Sequence, residues 1–235
     1  MQENEDMYEN VPVHIAIIPD GNRRWAEKHG LEKILGHKHG GDYSHVKDLC
    51  IEASEMGVEY LSFWGFSTEN WQRPAEEIES LMEIVKYDLD RLLNDPEEYR
   101  FVHIGRKDRL PEDVVKRIEA LESRDYDDAK LTIVLALDYG GRDEIVRAAN
   151  RALEDGVQHL TEETLERYLD TAYHGIPDPD LIIRTGGEKR TSGFMPWQGT
   201  YAELYFTEVF FPDFTAEHLK KAVMDYGRRK RRFGK

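Results

Sequence analysis

Cysteine is almost absent, since Cys50 is the single one in 235 residues. An intrachain disulfide is thereby excluded, and so is any metal site built from several thiolates. Cys50 falls in the helical stripe Val46, Leu49, Cys50, Ala53 and reads as a buried, inert thiol rather than a nucleophile. Long apolar runs are missing too, and no stretch approaches the roughly 18 residues of a membrane-spanning helix. The first residues carry Glu3, Glu5, Asp6 and Glu9, where a signal peptide carries basic ones. These absences suit a reducing cytoplasm. Several catalytic fingerprints are lacking as well. Without a Walker A loop or G-x-G-x-x-G, nucleoside triphosphates and dinucleotides lose their usual signals. Without G-x-S-x-G or H-E-x-x-H, so do serine hydrolases and zincins.

Positive charge is in deficit, with 32 Lys plus Arg against 47 Asp plus Glu and a net charge of −15. An acidic body repels a phosphodiester backbone, so no nucleic-acid partner is expected. The deficit is uneven, because from Lys220 onward eight Lys or Arg accompany a single Asp.

The length suits one large domain, here an acidic tail over 1–12 followed by a domain over 13–235. Short apolar runs alternate with helix-like segments, and no linker or repeat interrupts them. The runs are Val13–Ile18, Tyr60–Phe66, Phe101–Ile104, Leu131–Leu137, Leu181–Ile183 and Leu204–Phe206. Their β-branched and apolar content suits strands buried on both faces. Pro74-Ala75-Glu76-Glu77 opens a helix whose stripe is Ile78, Leu81, Met82, Val85, Leu89 and Leu92. Val46–Met56, Val114–Leu121, Ile145–Leu153 and Leu219–Tyr226 read the same way. The fold class expected is α/β, with a central, mostly parallel, six-stranded sheet flanked by helices.

In open α/β sheets ligands bind beyond the carboxyl ends of the strands. Four such ends here are rich in Arg, Gly, Asn and Ser: Asp20–Trp25, Ser67–Arg73, Asp138–Arg142 and Arg184–Ser192. Glycines admit close backbone approach, helix starts offer free N–H groups, and guanidinium forks match phosphate oxygens. The set implies an anion site for more than one phosphate. Asp20 among these cations suggests Mg²⁺ bridging the protein to a diphosphate. Any one stretch alone would read as a solvated turn. His37-Lys38-His39, in a Gly-flanked loop with no third ligand, is a weak metal signal.

The series His14–Ala26, Gly36-His37-Lys38, Phe66–Pro74, Tyr139–Arg142, Ile183–Ser192, Trp197-Gln198, Tyr201–Phe206 and Arg231–Gly234 resembles the cis-prenyltransferase family, of the undecaprenyl diphosphate synthase type. The resemblance covers about His14 to Gly234. It implies an enzyme that condenses isopentenyl diphosphate repeatedly onto an allylic diphosphate starter, farnesyl or geranylgeranyl diphosphate, with each new double bond cis. The product would be a long-chain polyprenyl diphosphate serving as a lipid-carrier precursor for glycan synthesis. Also implied are Mg²⁺, a homodimer, an apolar product tunnel and peripheral contact with the membrane that receives the lipid. The tunnel walls would be the Ile78–Leu92 helix and the second and fourth strands, although an ordinary core helix needs the same stripe.

By the same resemblance Asp20 is the essential carboxylate and metal ligand, with Glu203 a second metal-linked carboxylate. Gly21, Asn22, Arg23 and Arg24 would cradle the allylic diphosphate, with Trp25 flanking the site and His37 helping the diphosphate leave. Arg184, Arg190, Thr191 and Ser192 match the isopentenyl diphosphate clamp. Ser67, Thr68, Glu69, Asn70, Trp71 and Arg73 match a mobile loop that closes over substrates. Lys33 stands where the family often has Arg, which keeps charge and loses the fork. An amide is a poor general base, so Asn70 reads as orienting a substrate or as an N-cap ahead of Pro74. Asp127-Asp128 lacks the third Asp of the D-D-x-x-D motif of all-helical prenyl synthases.

Gly193-Phe194-Met195-Pro196 after Ser192, and Lys189 where bacterial relatives often have His, depart from the bacterial pattern and admit an archaeal-like member. A noncatalytic partner subunit of the same fold is the alternative reading, and an unrelated phosphometabolite enzyme a third. Partner subunits tend to lose the motif carboxylate and arginines that this chain keeps. The basic Arg228–Arg232 run either complements a helix C-terminus and solvates the surface, or lies near a second diphosphate or an anionic membrane.

Overall fold

The computed structural model describes residues 10–95, 99–124 and 129–229. Most of the acidic tail, Asp127-Asp128 and Arg231–Gly234 therefore lie outside the described residues. Six strands form one sheet: β1 (His14–Ile18), β2 (Tyr60–Ser67), β3 (Arg100–Ile104), β4 (Thr132–Tyr139), β5 (Leu181–Arg184) and β6 (Glu203–Phe206). Their order is β3-β4-β2-β1-β5-β6, and every pairing is parallel. The expectation of a mostly parallel sheet thus becomes an all-parallel one. Parallel neighbours need long crossovers, which cover both faces with other elements.

Strand alternation divides the core accordingly. Ile15, Ile17, Leu61, Phe63, Leu181 and Ile183 face one side and pack with α3 (Tyr43–Glu55), α4 (Ala75–Leu93), α5 (Glu112–Glu122) and α9 (Ala216–Arg228). Ala16, Ile18, Val134, Ala136 and Ile182 face the other, against Phe194, Met195 and Ile176. On the far side α6 (Gly141–Glu154) buries Ala148 and Ala152, and the short α7 (Glu162–Glu166) and α8 (Asp170–Tyr173) follow it. β6 departs from burial on both faces: it is the edge strand, and Leu204 is exposed. Cys50 is buried, as its stripe implied.

Two helices occupy segments that read as turn and loop. α1 (Asn22–Lys28) begins two residues after Asp20, and α2 (Lys33–Gly40) carries His37-Lys38-His39. Glycine ordinarily reads as a breaker, but Gly36 and Gly40 mark close packing. A Cβ on Gly36 would lie 1.9 Å from the Asn22 carbonyl oxygen, and one on Gly40 would lie 2.2 Å from Asn22 Oδ1. Bare backbone lets α2 approach α1 this closely.

β1 is tied to its neighbours by a buried histidine. His14 Nδ1 donates to the Pro177 carbonyl at 2.7 Å, which leaves Nε2 to accept from Ser62 Oγ at 2.6 Å. Burial pushes the imidazole down to about 4, against the opposing pull of the Pro177 carbonyl and Asp180. The neutral form is therefore the folded one. Its stabilisation is complete above the usual histidine value of 6.5 and is lost as the pH falls through about 4. Ser62→Ala leaves Nε2 buried without a donor and is expected to cost about 1–3 kcal/mol of unfolding free energy. Urea titration at pH 7.5 reads this loss, and an unmoved midpoint would contradict the assignment.

Candidate active site

β1 and β5 are adjacent, yet β1 leads to β2 on one side and β5 to β6 on the other. Their carboxyl ends form the switch point at which the chain opens a crevice. Asp20 stands two residues beyond β1. Gly21 follows with φ of +99°, and a Cβ there would meet the Phe210 ring at 2.5 Å. The glycine thus permits both the left-handed turn and the close approach. Its N–H donates to Asp20 Oδ1 at 2.6 Å. Thr185 Oγ1 accepts from the Asp20 N–H at 2.9 Å and donates to its carbonyl at 2.7 Å, which fixes the turn from β5.

Arg184, the last residue of β5, crosses to this carboxylate. Its Nη2 donates to Asp20 Oδ2 at 2.8 Å, while Nη1 donates to Ser192 Oγ at 2.7 Å and to the Arg190 carbonyl at 2.6 Å. Nε is buried and without a partner among the described residues. Ser192 adopts φ of +53°, a costly conformation for a non-glycine residue that presents its hydroxyl to Arg184. Arg24 approaches the other oxygen, Oδ1, at 3.5 Å and lies over the Phe210 ring at 5.4 Å.

A cavity of about 660 Å³ runs from this ion pair along the α3–α4 side of the sheet. Asp20, Gly21, Asn22, Arg23, Arg24, Lys33, His37, Ser67, Asn70, Arg73 and Arg184 line it. Apolar side chains make the remaining wall: Leu81, Val85, Leu89 and Leu92 of α4, Phe63 and Phe66 of β2, and Ile133, Leu135 and Leu137 of β4. The Ile78–Leu92 helix and the second and fourth strands thus all line this cavity. Phe101, Val46, Cys50 and Phe211 join them.

The cations converge, and most already have a carboxylate partner: Arg24 and Arg184 share Asp20. Lys33 pairs with Glu27 at 3.1 Å and Arg73 with Glu77 at 3.2 Å. Burial holds Arg73 below the usual guanidinium range; Glu77 offsets this and Arg23 reinforces it. His37 is pushed down to about 4 by burial first and then by Arg73, with Arg23 adding to it and Glu77 opposing. Like charges gathered in a half-buried crevice are stabilised by an anion between them. The imidazole is neutral near pH 7, and its buried Nε2 has no partner among the described residues.

Ser67, Asn70 and Arg73 reach the cavity, whereas Thr68, Glu69, Trp71, Trp25, Arg190 and Thr191 do not line it. The Ser67–Arg73 segment, expected as a loop, is a 3₁₀ turn over Thr68–Gln72 closed by a capping box. Asn70 Oδ1 accepts from the Ser67 N–H at 3.1 Å, so its cap belongs to this turn rather than to α4. Trp71 points from the cavity to Asp138, donating from Nε1 at 2.8 Å, with its ring edge on Phe66. Thr68 packs against Gly140, and Glu69 is exposed. Trp25 donates to Asp213 at 2.8 Å and lies against His29 and His39. Arg190 pairs with Glu188 at the surface, and the Thr191 carbonyl accepts from the Phe194 N–H.

Two of the expected groups lie apart from the crevice within one chain. Glu203 is not brought to Asp20 within one chain: it starts β6 opposite Leu181, whereas Arg184 lies opposite Phe206. Parallel register puts Glu203 at the other end of the sheet, where Arg229 binds it at 2.8 Å. The Asp138–Arg142 strand end does not join the crevice either. Asp138 is fully buried, with φ of +49°, and its carboxylate is occupied by Arg109 and Trp71. Thr185 and the Asp138–Arg109 pair were not singled out from sequence. Thr185 had a signal in its place directly after Arg184; Arg109 had none.

A family model described as "Putative undecaprenyl diphosphate synthase" matches residues 18–234. An isoprenyl transferase of Fusobacterium nucleatum is 45% identical over 232 residues, covering 97% of this chain and 98% of that one. Lavandulyl diphosphate synthase from Lavandula x intermedia, solved with dimethylallyl diphosphate, superposes with a TM-score of 0.87 at 35% identity over 96% of this chain and 99% of that one. A probable undecaprenyl diphosphate synthase from Campylobacter jejuni gives 0.80 at 36% identity, over 96% and 100%.

The neutral His37 between Arg23 and Arg73 yields a test in solution. An anion seated among these cations favours the protonated imidazole, so inorganic diphosphate is expected to raise its titration midpoint above about 4 by one unit or more. Nitrogen-15 NMR of the His37 ring reads this, and a midpoint indifferent to diphosphate would remove the anion from this position.

Proposed function

The chain belongs to the undecaprenyl diphosphate synthase family of isoprenyl transferases and is a prenyltransferase, and from this we propose that it condenses isopentenyl diphosphate repeatedly onto an allylic diphosphate to make a long-chain polyprenyl diphosphate. The reading rests on one continuous cavity that holds both Asp20 with the arginines and an apolar wall. An allylic diphosphate has this polarity, an anionic head on a hydrocarbon tail. The dimethylallyl diphosphate bound in the lavender neighbour supports the same class of ligand. In this reading the domain over 13–235 is one catalytic unit, and the cavity is the product tunnel.

Breaking the allylic C–O bond builds negative charge on the departing diphosphate. Arg23, Arg24 and Arg184 are positioned to stabilise that charge without reorganising. Asn70 Oδ1 accepts from the Ser67 N–H and an amide is not a base, so the proton lost as the new double bond forms goes to a carboxylate or to released diphosphate. Neutral His37 offers the departing group a hydrogen-bonding nitrogen. The donor set fits Mg²⁺. Asp20 is a partly exposed carboxylate beside the diphosphate position, and Mg²⁺ is commonly held by one carboxylate with substrate phosphate oxygens. When bound, the ion would neutralise diphosphate oxygens. Among the described residues no three His, Cys, Asp or Glu side chains gather to hold a metal, so Glu203 is not assigned to it within one chain.

A glycan-carrier role for the product, a homodimer, a cytoplasmic location and contact with a receiving membrane complete the proposal. Among the described residues no helix is long and apolar enough to cross a membrane. The alternative of a noncatalytic subunit gains no support from a chain that keeps Asp20, Arg24 and Arg184 in contact.

The purified chain, given labelled isopentenyl diphosphate, Mg²⁺ and allylic starters of several lengths, is expected to make extended lipid. None with any starter would overturn the reading. Asp20→Ala is expected to lower turnover at least ~10²-fold with its circular dichroism unchanged, and near-normal turnover would remove Asp20 from the chemistry. Each five-carbon unit adds about 4 kcal/mol of apolar burial at ~0.8 kcal/mol per carbon. Release should therefore slow as the chain grows, and detergent should speed turnover; indifference to detergent would argue against slow release.

A further inference from the structure

The apolar wall of the cavity contains one carboxyl group that the chemistry at the mouth does not use. On α4 the positions 81, 85, 88 and 92 follow helical spacing along one face. Leu81, Val85 and Leu92 fill three of them, and Asp88 fills the fourth; all four line the cavity. Asp88 Oδ1 is buried with no hydrogen-bond partner among the described residues. Oδ2 faces Gly41, where an added Cβ would lie 3.4 Å away. We propose that Asp88 is a chain-length-determining residue, whose carboxyl group sets how far the prenyl chain extends along the cavity, a proposal that rests on the prenyl-elongation reading above.

The groups around it are few. Burial raises the Asp88 carboxyl to about 7, and the carboxylate of Asp42 in the α2–α3 turn adds to the rise. The Tyr43 backbone N–H at the start of α3 and Arg91 on its own helix oppose it. Lys47 of α3 also lines the cavity, but its ammonium is held by both Asp95 oxygens, at 3.0 and 2.8 Å. Near neutral pH both forms of Asp88 are therefore populated. A hydrocarbon chain laid over the group strips its remaining water, which costs far more for a carboxylate than for a neutral carboxyl. The neutral form, favoured as the pH falls through about 7, admits the longer chain. By linkage, extension past Asp88 is coupled to proton uptake.

The test is the product-length distribution of wild type, Asp88→Asn and Asp88→Leu at pH 6, 7 and 8, read by chromatography at matched conversion. Between pH 8 and pH 6 the neutral fraction of a group titrating at about 7 rises about tenfold. The wild-type ratio of longer to shorter products is expected to rise by up to that factor. Asp88→Asn, close to isosteric, is expected to give a pH-independent distribution, and Asp88→Leu products at least as long as wild type makes at pH 6. Groups at the mouth such as His37 are common to all three proteins, so the contrast isolates Asp88. If Asp88→Asn follows pH as wild type does, or Asp88→Leu leaves length unchanged, the proposal falls. No lipid from wild type overturns the functional reading and this inference together; lipid of unaltered length overturns the inference alone.

Discussion

The ion pair between Arg184 and Asp20 joins the two strands at which the sheet changes direction. It is short, at 2.8 Å, and the Arg184 side chain is 7% exposed against 30% for Asp20. A guanidinium that deep is tolerated because Asp20, Ser192 and the Arg190 carbonyl all accept from it. Its neighbours follow from that demand. Thr185 clamps the Asp20 backbone, Gly21 lets the chain turn against Phe210, and Ser192 takes a strained backbone to reach Arg184. Removing one partner of such a pair leaves the other buried without its counter-charge, a local cost at the site rather than a loss of the fold.

Charge distribution shows how an acidic protein offers a cationic crevice of the kind the proposed diphosphate ligands need. A net charge of −15 repels extended polyanions but says little about a crevice. Within the crevice burial lowers Arg73 and His37, Arg23 adds to both shifts, Arg73 adds to that of His37, and Glu77 partly compensates. An arrangement costly when empty becomes favourable around an anion. The cost is carried by a fold whose stability comes from elsewhere, in the two apolar layers on either side of β1 and β2.

Much of this was legible in the sequence because it rests on local pattern. The six apolar runs became the six strands within a residue or two, since burial on both faces, in all but the edge strand β6, leaves an unbroken signal. Asp20, Arg24 and Arg184 were legible because turn and phosphate-binding residues cluster where strands end. α1 and α2 were hidden because Gly36 and Gly40 act through contact with Asn22, which no local rule encodes. The long-range partners were hidden for the same reason. Arg109 is 29 residues from Asp138, and nothing in its surroundings announces the pair that draws Trp71 from the cavity. Glu203 is a different case: the resemblance links it to the metal, and parallel register within one chain puts it at the far end of the sheet from Asp20.

The proposed ligand lies across two environments, its head at Asp20 and Arg184 and its tail along α4. The most direct measurement is a crystal structure with Mg²⁺ and an allylic thiodiphosphate that cannot ionise. The diphosphate is expected among Arg23, Arg24 and Arg184, with the ion on Asp20 and the hydrocarbon against Leu81, Val85 and Phe63. A diphosphate bound away from Arg184, or a tail outside the cavity, would contradict this placement.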